Sequence, residues 1–560
     1  MSGTPAHSSL ARLTAARHSL TPVGTLLVTL LAAACTAGGG GAGAAGRSPG
    51  GHPAGAVTNP STGPTLVVVV TVDQMRADYL DRFAARYTGG FARLVRGGAR
   101  FTNAQHDHAG TETAPGHATI LSGRFPRSTG IVSNALGVAD SSAPLVGGGQ
   151  PGASPRRFRG TALYDWMAAG DRRARALSVS MKDRAAILPL GRARQRVFWY
   201  ELDGRFTTSS YYADTLPGWV RAFDDRQLPR AAAGHSWTLL LPDSAYPEPD
   251  SVPQEAGGAG FLFPHTLPAD GAATSALRAT PWMDEVTLDL ALAGVRAMRL
   301  GDGPATDLLS VSLSATDVIG HRYGPDSREI HDQMLRLDRY LGAFLDSLFA
   351  MRDSTRVVVA LTADHGVASF PELSHAANGA PAARWVDLSP TLDHARAWLG
   401  AHGVPPTAIE FDAGALWEDR GALAAGHASE DSLAALFTGD ARALPGVLRV
   451  DRPAALASAD TEHDAIARRW LHSLPANAPV AAVVTLTPGS VFGTPGGIAM
   501  HGSPHDYDTH VPLILYGAPF RPGRYEEPVR VVDLAPTLAH VLGVTPLERV
   551  DGRVLTEALR

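Results

Sequence analysis

The most regular feature of the chain is a set of short apolar runs with little polar alternation. They read "PTLVVVVTVD" at 64–73, "ALSVSM" at 176–181, "DLLSVSLS" at 307–314, "RVVVALTA" at 356–363 and "VPLILYG" at 511–517. A strand with one wet face alternates polar and apolar residues, whereas an uninterrupted run predicts a strand buried on both faces. Helical patterns lie between the runs, the clearest being "REIHDQMLRLDRYLGAFLDSLFAM" at 328–351, where apolar residues return every three or four positions. Strands alternating with helices predict an α/β fold with a largely parallel central sheet flanked by helices. The stretches 192–290 and 371–495 carry fewer such runs and more Pro, Gly and Trp, and are expected to form cap insertions over that sheet. No internal repeat is present.

The ends of the folded region follow from composition. Arg12 and Arg17 precede "LTPVGTLLVTLLAAAC", which is short for a membrane span and suits the apolar segment of a signal peptide. The run ends at Cys35, the only cysteine of the chain, and "LLAAAC" resembles a bacterial lipobox, in which the cysteine is lipidated. Residues 1–35 are therefore expected to be a signal peptide, the protein exported to the periplasm, and its contact with a membrane limited to a lipid anchor at Cys35. A plain secretory signal with an incidental cysteine is the alternative. Residues 36–63 are rich in Gly, Ala, Pro and Ser and read as a flexible tether. The catalytic domain then covers 64–560, with no cysteine to form disulfides, so its core must hold it together.

Charge narrows the function. The formal charge of −5 supplies no basic field, which argues against a nucleic-acid partner. An anionic substrate would have to be attracted locally. Of 49 basic residues only Lys182 is a lysine, and it stands two positions before Arg184 in "SVSMKDRAAILP". Sequence sets no oligomeric state, and a monomer satisfies this reading.

In a parallel sheet, ligands bind at the carboxyl ends of the strands. Asp73 follows the first run. Asp317 and His321 follow the third, in "SATDVIGHRYG", and Asp364 and His365 follow the fourth, in "ADHG"; His501 precedes the last strand. Singly, such an Asp is more often a helix cap and such a His more often a satisfied core group. Together they form an oxygen and nitrogen set without thiolates, suited to two divalent ions, with zinc expected. Two metals about 3.5–4 Å apart clamp the entering and leaving oxygens of a phosphoryl transfer. The nucleophile expected beside them is Thr113, at the head of "TAPGHATILSG", where a metal and a helix N-terminus would stabilise its alkoxide. Without the metal inventory Thr113 would read as a helix cap.

"VDQMRADYL", "TAPGHATILSG", "SMKDRAAILPLG", "SATDVIGHRYGPDS", "ADHG" and "HGSPHDYDTHVPL" together resemble the alkaline phosphatase superfamily. They resemble in particular its threonine-nucleophile, two-zinc branch, shared by type I phosphodiesterases, nucleotide pyrophosphatases and calcium-independent bacterial alkaline phosphatases. The motifs run in family order from residue 66 to beyond 540, and "FTTSSYY" and "DLAPTLAHVLG" fit as well. The resemblance implies one zinc held by Asp317, His321 and His501, and another by Asp73, Asp364, His365 and Thr113. It also implies phosphate contacts from Asn134, Lys182 and Arg184. Asn134, in "STGIVSNALG", has a bland reading as a turn residue. Arg76 and Asp508 are expected to support the site from outside it. No equivalent of the third, magnesium site of the serine-nucleophile relatives is seen.

The function expected is a zinc-dependent phosphomonoesterase acting on small phosphate monoesters through a phosphothreonine. A monoester dianion carries charge that a diester lacks, and Lys182 and Arg184 can meet it with a point charge and a planar fork. A phosphodiesterase or nucleotide pyrophosphatase is the enzymatic alternative, and those relatives lack the pair. A sulfatase lacks support because no Cys/Ser-x-Pro-x-Arg motif accompanies the metal ligands. A non-catalytic metal- or phosphate-binding lipoprotein would be expected to have lost the nucleophile or a ligand set.

Overall fold

A computed structural model describes residues 63–148, 151–374 and 382–560. The expected signal peptide, Cys35 and the tether up to residue 62 lie outside the described residues. Ten strands form one sheet: β1 (Leu66–Val72), β2 (Ala99–Gln105), β3 (Ala176–Ser180), β4 (Arg196–Tyr200), β5 (Phe206–Thr207), β6 (Asp307–Leu313), β7 (Val357–Thr362), β8 (His510–Tyr516), β9 (Gly523–Tyr525) and β10 (Val529–Arg530). The order across the sheet is β9-β2-β8-β7-β1-β6-β3-β4-β5, with β10 also on β2. Neighbours run parallel except where β8 meets β7 and β2, and where β5 meets β4. The expected α/β class with a largely parallel sheet is what the chain forms.

The central strand β1 has every residue buried, and its Val70 lies opposite Val311 of β6 and Leu361 of β7. Helices cover the sheet: α1 (Thr113–Ser122), α2 (Asp183–Ile187), α3 (Trp282–Met298), α4 (Ala315–Tyr323) and α5 (Arg328–Met351). Helix α5 spans the residues its periodicity predicts. The Ser327 hydroxyl caps it by accepting from the Ile330 N–H, and Ile330, Met334, Leu337, Leu341, Leu345 and Leu348 line its buried side. No described helix is long and apolar enough to cross a membrane.

The stretch 192–290 does not begin as a cap. β4 and β5 continue the main sheet, because "RVFWY" extends beside β3. The rest of the stretch is pinned to α5 by the buried Asp332, which accepts from Trp237 Nε1 at 2.7 Å and from the Tyr246 hydroxyl at 2.6 Å. The stretch 371–495 builds its own antiparallel sheet from Ile409–Asp412, Ala415–Glu418, Val480–Leu486 and Val447–Asp451, in that order. That sheet has a separate hydrophobic core, which includes Leu399, Leu416, Leu433 and Phe437. Helix α6 (Ala465–Ser473) joins this unit to the loop before α1. The Ala109 N–H donates to the Arg469 carbonyl at 2.9 Å, and Arg468 pairs with Asp107 at 3.1 Å.

Candidate active site

The site forms where the strands end. Asp73 directly follows β1, Asp317 lies in the first turn of α4 after β6, Asp364 follows β7, and His501 sits in the loop leading to the antiparallel β8. That reversal of β8 brings its N-terminal side to the same edge. One close approach needs glycine: a Cβ on Gly116 would lie 2.3 Å from the Asp364 carbonyl oxygen.

All three expected histidine ligands are held the same way. His321 Nδ1–H donates to the Ala499 carbonyl at 2.5 Å, His365 Nδ1–H to the Gly366 carbonyl at 2.9 Å, and His501 Nδ1–H to the Thr111 carbonyl at 2.7 Å. Each therefore presents the Nε2 lone pair inward, the arrangement that orients metal-binding imidazoles. His321 Nε2 lies 3.3 Å and His501 Nε2 3.7 Å from Asp317 Oδ1. His365 Nε2 lies 3.5 Å from Asp73 Oδ1 and 3.6 Å from Asp364 Oδ2, and its ring stacks on His501 with centroids 3.7 Å apart.

Among the described residues, two groups come close enough to hold an ion: Asp317, His321 and His501; and Asp73, Asp317 and His365. The first matches the expected set. The second takes Asp317 where Asp364 was expected; Asp364 Oδ2 lies 3.0 Å from His117 Nδ1 and 3.6 Å from His365 Nε2, and is buried without a hydrogen-bond partner among the described residues. Asp73 Oδ1 and His365 Nε2 are buried without a hydrogen-bond partner among the described residues. Buried polar atoms left unpaired are costly, so these donors fit a cation.

Protonation favours the same reading. Burial holds His365 low, and burial with the neighbouring His365 and His321 holds His501 well below the usual histidine range, so both rings are neutral; His321 is instead raised, the Asp317 charge outweighing its burial. Burial, then the charge of Asp364, pushes Asp73 up. Asp317 is held well below the carboxylate range, since the Lys182 ammonium and His321 outweigh its burial.

Thr113 is the first residue of α1, and Glu112 takes the cap position in extended conformation with no side-chain cap bond. Asn134 completes that end: its Oδ1 accepts from the Ala114 N–H at 2.9 Å, which leaves the amide donors for a substrate. Lys182 reaches Thr113. Its buried Nζ lies 3.2 Å from Thr113 Oγ1, 2.7 Å from Asp73 Oδ2 and 2.6 Å from Asp317 Oδ2. Arg184, in the first turn of α2, lies 3.6 Å from Asp183 Oδ1, and its buried Nε has no hydrogen-bond partner among the described residues.

Three supporting residues carry no signal in the sequence. Gln74 adopts φ of 65°, donates from its N–H to Asp364 Oδ1 at 3.1 Å and from Nε2 to Asp317 Oδ1 at 3.0 Å. A left-handed glutamine costs on the order of 1–2 kcal/mol, a strain found where a site fixes the backbone. His117 bridges the Thr113 carbonyl and Ser312 Oγ, at 2.9 and 2.8 Å. Glu112 Oε2 accepts from the Asn134 N–H at 2.7 Å, and burial pushes its carboxyl up to about 7. Of the residues expected outside the site, Arg76 pairs with Asp78 at 2.9 Å. Asp508 is buried, accepts from the Ser503 N–H at 2.8 Å, and is pushed up to about 7 by burial.

A hydroxyl at a helix start, two carboxylate–histidine groups able to hold metal and a buried ammonium lie within a few ångströms of one another, an arrangement suited to metal-assisted phosphoryl transfer. A family model for type I phosphodiesterase / nucleotide pyrophosphatase matches residues 67–412, and the chain belongs to that family. It is 31% identical over 547 residues to alkaline phosphatase PafA of Elizabethkingia meningoseptica, covering 90% of this chain and 96% of the relative. It is 31% identical over 524 residues to alkaline phosphatase PhoV of Synechococcus elongatus, covering 89% and 93%. The wild-type PafA crystal structure matches with a TM-score of 0.81 at 28% identity, covering 90% of this chain and all of that one. So does a PafA variant changed together at a threonine, an asparagine, a lysine and an arginine.

Proposed function

We propose that the protein is an exported, zinc-dependent phosphomonoesterase that releases phosphate from organic monoesters. The observation that carries this reading is the ammonium of Lys182 beside Thr113 Oγ1. The relatives named alkaline phosphatases support it, as do Thr113, Asn134, Lys182 and Arg184, which are the four residue types altered together in the solved variant.

Thr113 Oγ1 attacks phosphorus, the Oγ–P bond forms and the bond to the leaving oxygen breaks. Water then attacks the phosphothreonine, and Thr113 recovers its hydroxyl as phosphate departs. Asp317, His321 and His501 would hold one zinc, and Asp73, His365 and Asp364 the other with Thr113. Bound there, the metals would supply Lewis acidity to the attacking and leaving oxygens. Lys182 meets the charge on a nonbridging oxygen as a compact donor, while the Asn134 amide and the Arg184 fork fix the others.

The family match favours a second reading, diester or pyrophosphate cleavage. A diester has less charge for Lys182 to meet and carries a second group in that space. Turnover of p-nitrophenyl phosphate against its bis-ester, with and without zinc, separates the two. Preference for the monoester supports the proposal, and preference for the bis-ester overturns it. Export and anchoring rest on the signal-like N-terminus and Cys35. Cys35→Ser is expected to release soluble enzyme with unchanged kcat/KM, and an unmodified cysteine by mass spectrometry would overturn the anchor.

A further inference from the structure

A cavity of about 240 Å³ opens between the metal-ligand floor and the 371–495 unit. Glu112 and His501 line it from the floor, and Phe411, Trp470, Leu486 and Phe492 from the other side. It therefore touches one residue next to the nucleophile and one ligand of the Asp317 group. Roughly 150 Å³ holds a benzene ring, so an aromatic group fits. Phe411 and Phe492 meet edge to face with centroids 5.1 Å apart, which leaves ring faces and edges for a further aromatic partner. Among the described residues the ionisable lining groups are Glu112, Asp412, His501, Tyr507 and Asp508, with no arginine or lysine.

We infer that this cavity is the leaving-group subsite and selects monoesters of uncharged aromatic or bulky apolar alcohols over those of anionic ones. The inference rests on the phosphomonoesterase reading above. An in-line displacement sends the leaving oxygen away from Thr113, toward the Asp317, His321 and His501 group, and His501 borders both that group and the cavity. An apolar alcohol at that point buries its surface against Phe411 and Phe492. Beyond the metal end, an anionic alcohol meets the carboxyl groups of Asp412 and Asp508 and no arginine or lysine among the described lining residues, so its charge is desolvated without a partner there.

The test compares kcat/KM for 2-naphthyl, 4-carboxyphenyl and ethyl phosphates in the zinc-loaded full chain, as wild type, Phe411→Ala, Phe492→Ala and Phe411→Lys. Each variant is read as a ratio to wild type on the same substrate, so the intrinsic reactivity of the leaving groups cancels. Either alanine variant should lower the naphthyl value roughly tenfold and leave the ethyl value within about twofold. Phe411→Lys should raise the carboxyphenyl value relative to the naphthyl value by roughly tenfold. Equal losses on naphthyl and ethyl phosphate, or no loss on either, would overturn the subsite. A wild type that cleaves methyl 2-naphthyl phosphate and none of the monoesters would overturn the monoesterase reading instead. The alanine losses would then be read on that diester against dimethyl phosphate. A loss confined to the naphthyl diester would uphold the subsite, and equal losses on the two diesters would overturn it.

Discussion

The floor of the site and the unit above it are built on different terms. On the floor, every expected histidine ligand donates Nδ1–H to a backbone carbonyl, and Lys182 is buried among Asp73, Asp317 and Thr113. Positions there are fixed by hydrogen bonds between distant segments. The 371–495 unit instead folds around its own apolar core and lines the cavity beside the site, with Phe411 half-buried. Chemistry that depends on sub-ångström placement sits on the hydrogen-bonded region, and choice among substrates sits on the apolar one. Substitutions on the floor should therefore damage all substrates, and substitutions in the wall should sort them.

The largest effect tests the floor. Thr113→Ala is expected to keep its metals and its melting temperature and to lose on the order of a thousandfold or more in kcat, on aryl and alkyl esters alike. Retained turnover would mean that water attacks directly, and the floor would then be a metal site without a nucleophile. Next is the metal itself. Chelation is expected to abolish activity, and zinc should restore it with about two ions per chain by elemental analysis. Saturation at one ion would mean that Asp317, shared by both compact groups, serves a single centre.

Lys182 gives the next effect and sharpens the comparison, because it is a floor residue expected to discriminate by charge. Lys182→Ala should lower monoester kcat/KM by on the order of a hundredfold and diester kcat/KM much less. Lys182→Arg should not restore it, since a planar guanidinium cannot occupy the space between Asp73, Asp317 and Thr113 as a compact ammonium does. Equal losses on monoester and diester would assign the lysine to holding the two aspartates apart, a structural duty of the floor.

The same contrast explains what was legible in the sequence. Strands buried on both faces print continuous apolar runs, so β1, β3, β6, β7 and β8 could be read directly. β2 is half wet and reads "ARFTNAQ", while β4 hides inside a stretch whose Trp and Pro content suggested a cap. The candidate ligands stand at strand ends, where the sequence pointed to them. Gln74, His117 and Glu112 could not be read that way. Their partners are Asp317 and Asp364, 243 and 290 residues from Gln74, the Ser312 hydroxyl, 195 residues from His117, and the Asn134 N–H, 22 residues from Glu112. Such bonds leave no local pattern.

The smallest expected effect lies beneath the floor, at Asp284 of α3. Its Oδ1 accepts from the Ala315 N–H at 3.0 Å and its Oδ2 from Gln333 Nε2 at 2.8 Å, which ties α3 to the start of α4 and to α5. Burial pushes its carboxyl up to about 7. A folded-state value above the unfolded one means that the protonated form is favoured by folding. Its stability is thus fully present below the ordinary aspartate value, about 4, and is lost as pH rises through about 7. Asn in its place cannot ionise. Gln333 Oε1, buried and without a partner among the described residues, could accept from the new amide once the glutamine turns over. Asp284→Asn is therefore expected to leave kcat/KM near wild type and to match the wild-type melting temperature at about pH 5, where the wild-type carboxyl is still protonated. At about pH 9 it should melt a few degrees higher, because only the wild type then carries the buried charge. Melting curves that stay parallel across that range would show that Asp284 is not ionised in the fold or is not penalised there. A loss of activity at constant stability would instead mean that the Ala315 contact positions Asp317, two residues further along α4, and that the floor reaches one layer deeper than its ligands.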